Sequence, residues 1–165
     1  MINGVRIKEL KVRKDVPDRD EDVGKPGFLM EVVRDDDGLL ERFGQSTFTV
    51  TYPGTIKAFH YHEHQDDLWF VASGKALIVL HDLRVESPTH GETQVLKAGT
   101  DDYKLLLIPI GVLHGFKVLG NDPVMLLYHT TRSYDPAHPD EKRIPFDDPA
   151  INFDWDKSVP KGVKA

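Results

Sequence analysis

From residue 45 to residue 130 the chain is a series of short β-favouring runs, each closed by Gly, Pro, Asn or Asp, and no run carries a convincing helical period. Residues 45–52 alternate Ser46, Phe48 and Val50 with Thr47, Thr49 and Thr51, as a half-buried strand does, and stop at Pro53-Gly54. Residues 76–83 are apolar and β-rich, residues 93–96 form another short run, and residues 103–108 are a continuous apolar run suited to a strand buried on both faces. Residues 116–119 and 124–130 flank Gly120-Asn-Asp-Pro123 and read as a hairpin. Upstream, residues 1–12 and 28–33 read as strands, residues 13–24 as a polar loop, and Asp35 to Gly38 as a turn. Many short strands without helices predict an antiparallel double-sheet jelly roll.

Composition narrows the class. The 165 residues suit a single domain, with a core at about 25–132 and a wrapping tail at 133–165 anchored by Ile144, Phe146, Ile151, Phe153 and Trp155. Cysteine is absent, which excludes disulfides and thiolate metal sites. A net charge of −6 with no basic stripe argues against a nucleic-acid partner. No apolar run approaches the roughly 18 residues needed to span a bilayer. The N-terminal Met-Ile-Asn-Gly-Val-Arg-Ile-Lys lacks a signal-peptide layout, so a cytoplasmic location without membrane contact is expected.

The chemistry-bearing stretch is residues 54–74. His60, His62 and His64 alternate among β-favouring aromatics, so His60 and His62 point to one side, while His64 falls where the turn begins. Read as a strand, turn and returning strand, the stretch brings Asp67 back towards the histidines. A second apolar strand carries His114 after the Pro109-Ile-Gly111 turn. His60, His62, Asp67 and His114 are a borderline ligand set suited to a divalent Fe, Mn, Ni or Zn.

Gly54, His60, His62, Asp67 and Gly74 follow the spacing of the first cupin motif, with Asp in place of the usual Glu. Pro109-x-Gly111-x-x-His114 matches the second, though Tyr103 and Val118 replace its leading Gly and trailing Asn. Over residues 25–156 the chain also resembles the dTDP-4-dehydrorhamnose 3,5-epimerase family, a cupin-fold group. The resemblance is carried by Gln45, His60-Tyr61, Asp82-Leu-Arg84, Ser87-Pro88-Thr89-x-Gly91, Pro109-x-Gly-x-x-His114-Gly-Phe116, Leu127-Tyr128-x-Thr-Thr131, Tyr134-x-Pro136, Asp147-Asp-Pro-Ala-Ile151 and Asp154-Trp155.

That resemblance implies an all-β cupin-type double-stranded β-helix, or jelly-roll barrel, acting on a 4-keto-6-deoxy sugar nucleotide by proton abstraction beside a ketone. His60 maps to the base and Tyr128 to the general acid, with Gln45, Lys57 and His114 positioning the substrate and no cofactor required. A histidine and a phenol suit these two roles. The family's members are usually homodimers, which implies the same here. The pocket also departs from the family. Pro26 stands where an arginine is usual and Lys57-Ala58 where Arg-Gly is usual, Asp67 replaces a lysine, and His62 replaces a polar non-ligand residue. The acid that partners the base in the family lies in a C-terminal segment, which a sequence ending soon after Trp155 is not expected to supply.

Two further functions stay open. One is a metal-dependent cupin, an oxygenase or isomerase using His60, His62, Asp67 and His114; metal on His60 would then occupy the lone pair a base needs. The other is a non-catalytic carbohydrate-binding cupin.

Overall fold

The alternation read from the sequence becomes two facing five-stranded antiparallel sheets in a computed structural model that describes residues 1–14 and 27–156. The first sheet has the order β1 (Arg6–Glu9), β9 (Lys104–Ile108), β6 (Asp67–Ser73), β11 (Val124–Thr130), β4 (Gln45–Thr51). The second has the order β12 (Glu141–Arg143), β5 (Ile56–His62), β10 (Val112–Leu119), β7 (Lys75–Asp82), β8 (Thr93–Gly99). A small ribbon pairs β2 (Arg13–Lys14) with β3 (Phe28–Leu29). From β4 to β12 every connection except β7–β8 crosses from one sheet to the other, which is the jelly-roll arrangement expected for a cupin-type barrel.

This crossing corrects two expectations. The histidine stretch is not a hairpin: β5 pairs with β10 and β12, whereas β6 pairs with β9 and β11. Nor do residues 116–119 and 124–130 form one, because β10 and β11 lie in opposite sheets. Each sheet needs the other to cover its apolar inner face, so short connections bridge layers instead of closing ladders. At the edges, the strands expected at 1–12 and 28–33 shrink to Arg6–Glu9 and Phe28–Leu29, and the run at 93–96 extends to Gly99. Residues 15–24 of the expected polar loop lie outside the described residues, as does Pro26. The turn at 35–38 holds one turn of 3-10 helix ending on Gly38 with φ 60°.

Three apolar layers result. Between the sheets pack Trp69, Val71, Ile78, Leu80, Leu106, Ile108, Val112 and Phe116, among others. Leu39 with partly buried Met30, Val32 and Leu40 covers Leu68, Phe70, Leu105 and Leu107 outside the first sheet. The tail covers the second sheet: Ile144, Ile151, Phe153 and Trp155 pack on Phe59, Val79 and Leu113. Phe146, expected as a tail anchor, is instead 47% exposed and contributes its carbonyl, which accepts from Trp155 Nε1 at 2.9 Å. Apolar layers on both sides of β7 and β9 account for their unbroken hydrophobic runs. No helix among the described residues is long and apolar enough to cross a membrane.

Two close approaches demand glycine. A Cβ on Gly115 would overlap Ala58, so its absence lets β5 lie tight against β10 where His60 is cross-strand neighbour to His114. Gly74, with φ +73°, turns the chain between sheets where a Cβ would overlap the Pro123 carbonyl.

Candidate active site

The inward row of β10 runs Val112, His114, Phe116, Val118, so His114 is the point where the inter-sheet core turns polar. His60 and His62 project from the neighbouring β5, and Asp67 and Trp69 face them from β6 in the opposite sheet. The sandwich, not a hairpin, brings the four predicted ligands together: one donor atom from each of His60, His62, Asp67 and His114 lies within 4.8 Å of all the others. The His60 and His114 rings meet edge-on with centroids 4.1 Å apart, and Trp69 stacks edge-on against His114 at 5.1 Å.

Asp67 is 2% exposed and hydrogen-bonded at both oxygens. Its Oδ1 accepts from Gln65 Nε2 at 3.0 Å and its Oδ2 from Trp69 Nε1 at 3.1 Å. His62 Nε2 stands 3.7 Å from Oδ1 and His114 Nε2 3.7 Å from Oδ2. Behind them, His114 Nδ1 lies 2.8 Å from the Val112 carbonyl and His62 Nδ1 lies 3.6 Å from Asp140 Oδ2. Asp140 is held in turn by the backbone N–H groups of Glu63 and His64. His64 itself lies outside the four-donor group, in an exposed cluster with Glu63 and Asp140.

These donors end at a two-lobed cleft between the sheets. One lobe, about 730 Å³, is lined by Thr49, Lys57, Trp69 and Phe116 among others. The other, about 950 Å³, is lined by Gln45, Thr47, Arg132, Tyr134 and His138 among others. His60, Asp67, Tyr128, Glu141 and Arg143 line both. Glu141 and Arg143 come from β12, where they are cross-strand neighbours of His62 and His60. The sequence carried no strand signal there, since Glu-Lys-Arg has neither an apolar alternation nor β-branching. Trp69 stands two residues from Asp67 on β6, which places the two on one face.

Lys57 lines the smaller lobe with Nζ donating to Thr49 Oγ1 at 3.0 Å. Gln45 lines the larger lobe, but both ends of its amide are engaged, with Thr47 and with the Tyr134 N–H. His114 is 1% exposed and lines neither lobe; it stands behind His60 and Trp69 rather than at the cleft wall.

The electrostatics follow from burial. Desolvation, reinforced by His114, His62 and Arg143, holds the His60 imidazole well below the ordinary histidine range, so it is neutral at pH 7. Burial also lowers His114 against the opposing pull of Asp67. Burial raises Tyr128 above 10, partly offset by its hydrogen bond with Thr47, so the phenol keeps its proton. A neutral imidazole on one sheet and a protonated phenol on the other share both lobes of the cleft. Such a pair can take a proton from one side of a bound substrate and give one from the other.

A jelly-roll barrel with a histidine and a tyrosine facing a polar cleft is the arrangement expected of a sugar-nucleotide epimerase. Residues 24–163 match the model of the dTDP-4-dehydrorhamnose 3,5-epimerase family, and the chain belongs to that family. It is 55% identical to the spore coat polysaccharide biosynthesis protein SpsL of Bacillus subtilis, over 94% of this chain and 97% of that protein. Among solved structures, a dTDP sugar isomerase from Desulfovibrio desulfuricans superposes with a TM-score of 0.82 at 28% identity, covering 96% of this chain and 94% of the other. A dTDP-6-deoxy-D-glucose-3,5-epimerase, RmlC, from Legionella pneumophila, in complex with dTDP-4-keto-L-rhamnose, gives 0.78 at 27% identity, covering 99% and 83%.

Proposed function

We propose that this chain is an enzyme that epimerises a 4-keto-6-deoxy sugar nucleotide at a carbon beside the ketone. The observation that carries this reading is the placement of His60 and Tyr128 on opposing sheets, both lining the same two lobes of one cleft. The neutral His60 imidazole takes the proton from the carbon next to the carbonyl. The C–H electron pair becomes the C=C bond of an enolate, and the Tyr128 phenol returns a proton from the opposite face. Lys57 and Gln45 border the substrate in separate lobes, and Arg143 adds a cation beside His60 that can meet the diphosphate. The larger lobe has ample room for a sugar and part of its nucleotide. The RmlC structure from L. pneumophila, crystallised with dTDP-4-keto-L-rhamnose, supports this substrate class. The reaction is proton transfer alone and calls for no cofactor.

The same reading includes a homodimer. The outer face of β4 and β11 leaves Phe48, Val50 and Met125 exposed, with Phe43 beside His129 at their margin. Such a patch on a sheet edge suits a second copy of the chain.

The deciding experiment is solvent deuterium uptake into dTDP-4-keto-6-deoxyglucose, followed by NMR. Wild type is expected to exchange the proton beside the ketone, and His60→Asn to reduce that exchange by roughly 10²–10⁴-fold. A wild type that exchanges nothing, or a His60→Asn that exchanges normally, would exclude this reading.

One observation favours a second reading. The convergence of His60, His62, Asp67 and His114 suits a metal-dependent oxygenase or isomerase, in which His60 would be a ligand and not a base.

A further inference from the structure

On the inner face of the first sheet, Tyr128 stands between its cross-strand neighbours Thr47 of β4 and Trp69 of β6. Trp69 has one polar side-chain atom, Nε1, and its N–H is given to Asp67 Oδ2. The phenol finds its hydrogen bond on the other flank, with the Thr47 hydroxyl. Thr47 is bonded in turn to Gln45. Gln45 Nε2 donates to Thr47 Oγ1 at 3.2 Å, and Gln45 Oε1 accepts from the Tyr134 backbone N–H at 2.7 Å. A backbone N–H can only donate, so it fixes the amide with Oε1 towards Tyr134 and Nε2 towards Thr47. With one lone pair of Thr47 Oγ1 occupied by that donor, the threonine hydrogen is free for the phenol oxygen.

We propose that Gln45 and Thr47 are positioning residues for the Tyr128 hydroxyl. Hydrogen bonds run in one direction, from the Tyr134 N–H through Gln45 and Thr47 to the phenol oxygen, and leave the phenol hydrogen facing the cleft. The sense of the effect on the phenol agrees. Burial raises it while Thr47 lowers it, as a hydroxyl that donates to the phenolate does. Gln45, Thr47, Tyr128 and Tyr134 all line the larger lobe, so the whole chain of bonds lies along the wall where substrate would sit. Its starting point is pinned as well: the Ser133 hydroxyl, next to the Tyr134 N–H, donates to the Gly44 carbonyl at 3.1 Å.

The assignment rests on the epimerase reading and gives its second step a direction. The enolate C=C pair takes the phenol proton and becomes the new C–H bond, and the O–H pair stays on the phenol oxygen. The Thr47 O–H meets that developing charge with a hydrogen bond that strengthens as the proton leaves. The reverse direction, with Tyr128 donating to Thr47, would turn the phenol hydrogen away from the substrate and present a lone pair to the enolate. The proton gained by His60 and the proton lost by Tyr128 are both exchanged with water once the cleft empties.

The test compares full-length Thr47→Val, Thr47→Ser and Gln45→Glu with wild type on saturating dTDP-4-keto-6-deoxyglucose. Deuterium exchange and net inversion are both read by NMR, and circular dichroism reports the fold. Thr47→Val keeps the side chain's shape and removes its hydroxyl. Its inversion is expected to fall about 10- to 100-fold while exchange at His60 persists. Thr47→Ser restores the hydroxyl and should invert close to the wild-type rate. Gln45→Glu has nearly the same shape but two acceptors, so Thr47 donates to it and accepts from Tyr128. The chain of bonds then reverses, and inversion should fall while exchange persists. A Thr47→Val that inverts as wild type does overturns the assignment, as does a Thr47→Ser that inverts no faster than Thr47→Val. Equal losses of exchange and inversion in Thr47→Val also overturn it, because the damage is then not confined to Tyr128. A Gln45→Glu that inverts normally overturns the direction of the bonds. A wild type that neither exchanges nor inverts removes the epimerase reading itself, and this assignment with it.

Discussion

Asp67 Oδ2 and His114 Nε2 face each other at 3.7 Å although their strands belong to different sheets. Their relative position is therefore set by how the two sheets pack. Trp69 fixes that packing locally: its indole N–H bonds Asp67, and its ring stands edge-on to both His114 and Phe116.

Tyr128→Phe separates the two halves of the proposed reaction. With His60 intact, the proton beside the ketone still leaves and returns on the same face. Deuterium wash-in is expected to persist while net inversion falls by roughly 10²-fold or more. Comparing exchange by NMR with product formed over time checks this.

The Arg143 side chain is 82% exposed and, among the described residues, donates through Nε to Glu141 Oε1 at 2.5 Å within β12. A cation that holds the diphosphate equally in ground and transition states contributes uniform binding. Arg143→Ala is expected to raise KM about tenfold with kcat nearly unchanged, measured by steady-state kinetics.

Asp82 is fully buried. Burial alone pushes its carboxyl up, but hydrogen bonds from Arg84, Ser87 and Thr89 outweigh that and hold it well below its usual range. A depressed carboxyl stabilises the fold above its unfolded value near 3.8, and that stability is lost as pH falls towards the folded value. Urea midpoints of wild type should therefore drop as pH is lowered below about 4. Asp82→Asn should cost up to about 3 kcal/mol at pH 7 and show a shallower acid decline.

Phe48 is 58% exposed on β4, on the side opposite the cleft-lining Thr47 and Thr49. Phe48→Glu is expected to convert the proposed dimer to monomer in light scattering. The fold should be intact, since the side chain supports no core.

The jelly roll was legible because β runs and turn residues alternate so regularly, and because Ser46/Phe48/Val50 against Thr47/Thr49/Thr51 assigns faces. Periodicity says which way a side chain points but not in which sheet its strand lies. The connections at residues 63–66 and 120–123 have the length of hairpin loops, so β5–β6 and β10–β11 read as hairpins when each in fact bridges the sheets. The convergence of His60, His62, Asp67 and His114 was legible through motif spacing, which encodes that bridging without displaying it. Glu141 and Arg143 were hidden for a different reason. An edge strand of Glu-Lys-Arg is held by the backbone of β5 and needs no β-favouring side chain of its own.

That edge strand divides the labour of the molecule. The other nine strands of the two sheets and three apolar layers supply its stability, while one wall of the cleft is a three-residue strip laid along the margin of β5. Changes in that strip leave the interior hydrogen bonding untouched. New sugars can therefore be tried at little structural risk, and diversification of substrate range should concentrate at residues 141–143 before it reaches the barrel.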